Sequence, residues 1–416
     1  MLAAGDYDTL RPVLEWAASF LPLARARTAA LLPGVAGVFF NEITNAFGLH
    51  GGTLYSGFDA NSPGNCSAAY RPAGWPRYLA TGGWVRWDFS GNALGPEAGL
   101  MALDLLLHTG NASEAARFVP IATSTLDFLA SFYTNRSADG RVLFWPAQVL
   151  ESWWCTWPPT GAGNCSANDL PTVAAATALA ERLLALPAAS GLVTPAQRAT
   201  YAALAAALPP LPTTTLPGSN ATVFAPAGVL SGVGPGHREI PELYHVHPFR
   251  LQTAGRAALD AALDLAAARR TWNTSANAGK NTGWYYGGID AALLGLADDA
   301  WRMLVARAGN APPQAGYRYP AFAPHLQDSE PSADHYANLM TALQAMLLQP
   351  GGDAAGSLVL LPAWPCAVDV SFKLWGAHNT SVDVVFAGGA LVSIDVQPPA
   401  RARDVKWANC VHARAS

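Results

Sequence analysis

Two acids, Glu151 and Asp334, are the residues whose types and settings could do chemistry together. Glu151 sits in DGRVLFWPAQVLESWWCTW, residues 139–157, a turn followed by an aromatic-lined extended segment. Trp145, Trp153 and Trp154 surround it in sequence. Apolar surroundings disfavour a carboxylate and keep such an acid protonated. Asp334 lies in residues 323–349, where a polar stretch broken by Pro324 and Pro331 gives way to a helix. Leu339, Leu343 and Met346 or Leu347 share one face of that helix. A carboxylate at its start faces the positive end of the dipole and stays ionised. One protonated and one ionised acid, carried on two loops of one cleft, is the requirement of glycoside hydrolysis. Structural roles stay open beside this one: Asp334 or Ser332 as a helix cap, and Glu151 as a surface acid paired with an arginine.

A second cluster, HREIPELYHVHPFR at 237–250, offers Glu242, His245, His247 and Arg250. A His-x-His pair can hold a metal, but alternation along a strand produces the same pair without an ion. Hydrogen bonding to a polyhydroxylated ligand suits these residues better, and neither a metal nor a cofactor is expected. Gly232, Gly234 and Gly236 alternate without the strand, helix and downstream acid of a nucleotide site. No G-x-S-x-G elbow is present.

The 416 residues are 51% hydrophobic and 13% charged, with a net charge of -4, so a sizeable core is expected and a nucleic-acid footprint is not. Fourteen Trp and twelve Tyr mildly favour a carbohydrate ligand, because aromatic faces stack on sugar rings. Seven Asn-x-Ser/Thr sequons, at Asn65, Asn111, Asn135, Asn164, Asn220, Asn273 and Asn379, predict a glycoprotein of the secretory pathway or extracellular space. Five cysteines lack metal-type spacing; Cys155 and Cys165 bracket a short loop and could pair, and an odd count leaves one thiol over. No signal peptide opens the chain and no long apolar run predicts a membrane span, so a missing N-terminal part is the expectation.

The elements that must position these residues read as helical hairpins. Apolar periodicity predicts helices at about 7–27, 97–108, 113–133, 170–186, 194–208, 256–269, 288–308 and 334–349, with Ser113 as an N-cap and Pro120 tolerable only near the first turns. Residues 33–92 form a long aromatic-rich loop and 209–222 a Pro/Thr loop. From about residue 355 the period changes to two, predicting short strands. The domains are therefore expected at 1–350 and 355–416.

In order along the chain, several motifs are similar to those of one family. DGRVLFWPAQVLES carries a Pro-x-x-x-x-Glu motif; GHREIPELYHVHP aligns His237, Arg238, Leu243 and Tyr244 with a His-Arg-His-x-Ser-His-Leu-Tyr run; Asn281-Thr282-Gly283-Trp284 matches a Thr-Gly-Trp helix start; and SLVLLPAWP matches a Leu-Leu-Pro-Ala-Leu-Pro join to a β domain. From about residue 80 to 405 the chain resembles glycoside hydrolase family 95, the inverting α-L-fucosidases. It resembles more closely still an uncharacterised branch, domain-of-unknown-function family 5703. The resemblance implies a mainly α fold, an (α/α)6 toroid incomplete at its N-terminus, followed by a small antiparallel β-sandwich-like domain. It implies Glu151 as general acid and Asp334 as general base, with carboxyls about 6.5–9.5 Å apart. Substrate-binding positions are then Trp145, Trp153, Trp154, Arg238, Glu242, His245, His247, Trp284, His335 and Tyr336. Departures fall at Asp334-His335-Tyr336, where the family has Asp-Gly-Asn, and at Glu242, where it has histidine; both put fucose itself in question. The family's water-orienting asparagines would precede Met1, so the chain as it stands could be inactive. Two other classes stay open: a non-catalytic carbohydrate-binding relative, and a polysaccharide lyase using Tyr244, His245 or His247.

Overall fold

The computed structural model describes residues 1–40, 94–147, 149–150, 153, 165–230, 240–280, 285–308, 334–353, 355–408 and 410, of which residues 31, 94, 334 and 335 by backbone alone. The described chain is mainly α with several small sheets. Its helices are α1 Tyr7–Ser19, α2 Leu21–Leu31, α3 Leu94–Thr109, α4 Ala112–Phe132, α5 Leu170–Ala185, α6 Pro195–Ala207, the single turn α7 Ala254–Ala257, α8 Ala266–Thr274, α9 Gly287–Leu293, α10 Ala297–Ala308 and α11 Asp334–Leu347.

The helices begin where side chains can accept from the first free amides. Asp6 accepts from Thr9 N, Asn111 from Ser113 N and Glu114 N, and Asp169 from Thr172 N. Thr194 and Gln197 form a reciprocal capping box at α6. Several boundaries differ from expectation for identifiable reasons. The cap of α4 is Asn111, not Ser113, and Pro120 lies in the middle of that helix. Burial of Phe118, Val119, Ile121 and Ala122 around the proline offsets the hydrogen bond it cannot make. The expected helix 7–27 is two helices that part at Phe20, because Pro22 cannot extend a preceding helix. The expected helix 288–308 is likewise two, separated at Gly295, whose φ of +72° is a left-handed turn. The expected helix 256–269 dissolves between α7 and α8, where the Asp260 and Asp264 side chains bind the amides of Ala262 and Ala266 and write turns instead. Finally, the 209–222 loop holds strand β2 (Thr213–Thr215), paired antiparallel with β3 (Thr222–Phe224); three β-branched residues in a row favour the extended form.

Contacts fix the helix directions. Gly95 lies against Thr125 and Gly99 against Ala122, so α3 and α4 are antiparallel. Gly99 also meets Leu179, and Asp104 binds Arg182, so α3 and α5 run parallel. Asn338 donates to the Tyr285 carbonyl, Gly288 faces Ala342, and Gln349 donates to the Ala292 carbonyl, so α9 and α11 also run parallel. Helix α5 is buried without interruption from Leu170 to Ala176, the mark of a helix enclosed on all sides. The C-terminal ends of these four helices converge on residues 250–256. Arg250 binds Asp104, Arg256 binds Glu181, Gly255 N donates to Gln349, and Ala254 meets Gly295 just beyond α9.

The remaining strands are β1 (Ala167–Asp169), β4 (Ala227–Val229), β5 (Leu348–Pro350), β6 (Leu358–Leu360), β7 (Val370–Gly376), β8 (Thr380–Ala387), β9 (Ala390–Gln397) and β10 (Val405–Trp407). β1 pairs with β4; β5, β6 and β10 form a mixed sheet, and β7, β8 and β9 an antiparallel meander. Val382, Val384 and Phe386 turn one face of the meander to the core, as period two demands. Strand β5 follows α11 without a linker and pairs with β6. The meander is also tied to the helices: His378 and Asn379 donate to the Leu107 and His108 carbonyls, and Gly5 lies on Trp375. Cys366 and Cys410 form a disulfide, and Cys165 is disulfide-bonded to a cysteine outside the described residues.

Candidate functional site

Residues 250–256 occupy the C-terminal ends of the four helices, and the opposite end carries the start of α11. Asp334 is the first residue of α11 at that end, and Asn338, one turn on, reaches Tyr285 at the start of α9. Tyr285 and Tyr286 precede the first turn of α9, and Tyr286 meets the segment that carries the expected histidines. Its ring stands edge-on to His247 at 4.9 Å and lies 6.5 Å from Tyr244. His245 packs on Phe224 at 4.0 Å, three residues before β4 pairs with the residues that open α5. The segment therefore bridges the N-terminal ends of α5 and α9.

Residues 240–250 are not a strand. Leu243 accepts from Val246 N and His247 N, making overlapping turns that send the two histidines in different directions. The strand alternation that would set both histidines on one face is thus missing, and no group of three metal-type side chains occurs among the described residues. Pro241, Leu243, Tyr244, His245 and Val246 are all buried, whereas Glu242 and His247 stay partly open. His245 is a correction: expected to meet a ligand, it is 0% exposed and has no open surface to offer one. Its ring nitrogens lie near the Glu242 carbonyl and the Gln252 side chain without reaching hydrogen-bond geometry with either.

Burial sets the electrostatics here. It pushes the Glu242 carboxyl up to about 7, only slightly offset by the residue's own backbone. Burial also holds both imidazoles neutral, down to about 3, helped at His247 by the nearby Arg250 charge and resisted at His245 by Gln252 and the Glu242 carbonyl. Asp169, which caps α5, is lifted by burial to about 6 against the pull of its Thr172 hydrogen bonds. Asp290 lies one helical turn below Tyr286 and is raised well above the usual carboxylate range by burial alone. At the other end, burial opposes ionisation of Asp104, but the Arg250 and Arg182 guanidiniums outweigh it and hold that carboxyl at about 2.

The expected residues divide as follows. Trp145 and Trp153 are half-buried, and Glu242, His247 and Tyr336 are partly open or exposed. Leu150 and Trp153, on either side of Glu151, are both left-handed, with φ of +49° and +48°. Non-glycine residues held in that region are costly, and they concentrate at functional sites. Glu151, Trp154, Arg238 and Trp284 lie outside the described residues; Asp334 and His335 are placed by their backbone in α11. The structure brings His247 to Tyr286.

Sequence reasoning passed over Tyr286, Asp290, Asp169 and Asn338. Asp290 stands alone in the apolar run GGIDAALLGL, and Asp169 directly precedes Leu-Pro at a helix start, so both carried a legible signal. A small cavity between α9, α10 and α11 is lined by Tyr285, Ile289, Met303, Arg307, Asn338 and Ala342. Burial lowers the Arg307 guanidinium to about 10, and its Nη2 donates to the Tyr285 carbonyl. No protein-family model matches the chain, and no curated protein matches it.

Proposed function

We propose that the chain belongs to a secreted glycoside hydrolase of (α/α)6 type, acting on a glycan by inversion. In this reading Glu151 protonates the departing glycosidic oxygen, and Asp334 activates water on the opposite face of the sugar. The observation that carries it is the shared end of the parallel helices. Asp334 opens α11 at the same end at which Tyr286 opens α9 against His247. Aromatic rings and neutral hydrogen-bonding groups there suit a polyhydroxylated ligand. The antiparallel α3–α4 hairpin, with α5 parallel to α3, has the inner-and-outer pattern that a toroid repeats. The exposure of all five described sequon asparagines, Asn111, Asn135, Asn220, Asn273 and Asn379, supports glycosylation in the secretory pathway. The lyase alternative loses two of its three candidate bases, because Tyr244 and His245 are buried, and retains only the partly open His247.

The test is hydrolysis by the full-length protein of a panel of α-linked glycosides, with the anomer of the first product followed by proton NMR. Glu151→Gln and Asp334→Asn should each lower turnover roughly 10²–10⁴-fold, and the product should form with inverted configuration. Unchanged turnover in both variants, or a retained configuration, overturns the assignment.

A further inference from the structure

The turn at 240–247 leaves two polar side chains partly open, and one of them is an acid without a counter-ion. No ion pair to Glu242 occurs among the described residues, in a segment whose other members from Pro241 to Val246 are buried. We propose that Glu242 determines the ligand specificity of this site by acting as a neutral carboxylic acid, donating its O–H to an uncharged oxygen of the bound sugar. This rests on the carbohydrate reading above and assigns within it a role to one residue and a charge class to the ligand.

The surroundings support a neutral acid over an ionised one. The turn Pro241–Leu243 packs against α5 and α8. The charged groups of α5 are engaged elsewhere: Asp169 with Thr172, Glu181 with Arg256, and Arg182 with Asp104. On α8, Arg269 donates to the Leu294 carbonyl and Arg270 to the Thr222 carbonyl. On the turn's own segment, His245 and His247 are uncharged, and Arg250 is bound to Asp104. Among the described residues no ion pair stabilises a carboxylate at Glu242, and burial pushes its pKa up to about 7. An ionised acid can only accept hydrogen bonds, whereas a protonated one also donates. A sugar hydroxyl or ring oxygen can be read by that donor. Above neutrality a uronate or phosphate would face a like charge at Glu242.

Two measurements on the full chain test this. The first is the infrared difference spectrum between wild type and Glu242→Gln at about pH 5.5, below the ionisation that burial imposes. A carboxylic-acid C=O band assigned to Glu242 is expected. Its absence, with a carboxylate band in its place, overturns the proposal whatever the ligand. The second is binding to an immobilised panel of neutral oligosaccharides, ending in fucose, galactose, glucose, mannose, xylose or rhamnose, alongside uronate-ended ones. Wild-type binding to its neutral ligand should weaken roughly tenfold from about pH 5.5 to about pH 8.5, the weight of one hydrogen bond. Glu242→Gln, neutral and of the same shape, should bind equally at both, and uronate-ended glycans should bind at neither. Neutral-sugar binding that weakens identically in Glu242→Gln, or a preference for uronates, overturns the role of Glu242 alone. Binding of no glycan at either pH overturns the carbohydrate reading and the proposal with it.

Discussion

His247 presents its imidazole to the edge of Tyr286 with centroids 4.9 Å apart and ring planes at 74°, joining the 240–250 segment to the start of α9. This geometry is worth about 0.5–1.5 kcal/mol beyond area burial for aromatic pairs. Tyr286→Ala should therefore loosen the turn that carries Glu242, more than its stability cost alone suggests. Amide hydrogen exchange at Val246 and His247, whose N–H groups bind the Leu243 carbonyl, should speed up relative to that of α4. Unchanged protection there would show that the ring pair is incidental.

Glycine at position 287 is dictated by a close approach. A Cβ on Gly287 would stand 2.1 Å from the backbone oxygen of Ala278 and 3.2 Å from Met303. Because the first obstacle is backbone, Gly287→Ala should destabilise the fold by about 3 kcal/mol, measured by urea unfolding. Gly288→Ala, whose Cβ meets side chains only at 3.6 Å or more, should cost far less.

Asp104 ties α3 to α5 and to the 250–256 segment through two arginines. Replacing it by Asn leaves two guanidiniums short of their partner, at a cost of about 3 kcal/mol. With its pKa held at about 2 against an ordinary 3.8, this carboxyl contributes stability above about pH 4 that is lost as pH falls towards 2. The acid limb of the wild-type unfolding curve should flatten in Asp104→Asn; an identical limb would remove the ion pair from the explanation.

The buried groups of the candidate site predict opposite slopes. Glu242 keeps its proton in the folded chain up to about 7 but releases it near 4.5 when unfolded, so its share of stability declines as pH rises through that window. Glu242→Gln should abolish that decline. His245 takes up a proton near 6.5 unfolded but only near 3 folded, so stability falls as pH drops across that interval. His245→Phe, which keeps the ring against Phe224, should recover about 3 kcal/mol at pH near 4. Thermal melts across pH 3–8 distinguish the two residues by the sign of the change.

The Cys366–Cys410 bridge closes a separation of 44 residues around the meander. In the chain-entropy account, removing it costs about 4 kcal/mol. A Cys366→Ser, Cys410→Ser protein should unfold at correspondingly lower denaturant, with the loss concentrated in β7–β9 by hydrogen exchange.

The periodic parts of the sequence were the legible ones. The Ala/Leu pattern of 170–208 matched α5 and α6 almost residue for residue, because an Ala/Leu-rich stretch that follows a side-chain cap strongly favours a helix. The alternation after 355 yielded β7, β8 and β9 in the same way. What misled was local punctuation within long apolar runs. Pro22 and Gly295 each divided a helix that periodicity carried straight through. Asp260 and Asp264 diverted a third by capping amides from the side. In the candidate site, residue types were visible but their depth was not: His245 and His247 are two residues apart, yet one is enclosed and the other partly open. Enclosure depends on Phe224 and Tyr286, which arrive from elsewhere in the chain.

Helix α11 passes into β5 with no residue between them, and β5 is hydrogen-bonded to β6 from Leu348 to Pro350. The helix that bears Asp334 is therefore held at two places, at Leu348 by the sheet and near its start by Asn338 and Ala342 against the first turn of α9. Re-orienting its first turn would mean breaking the Asn338 hydrogen bond to the Tyr285 carbonyl or sliding β5 along β6. The start of α11 is thus clamped as well as anchored.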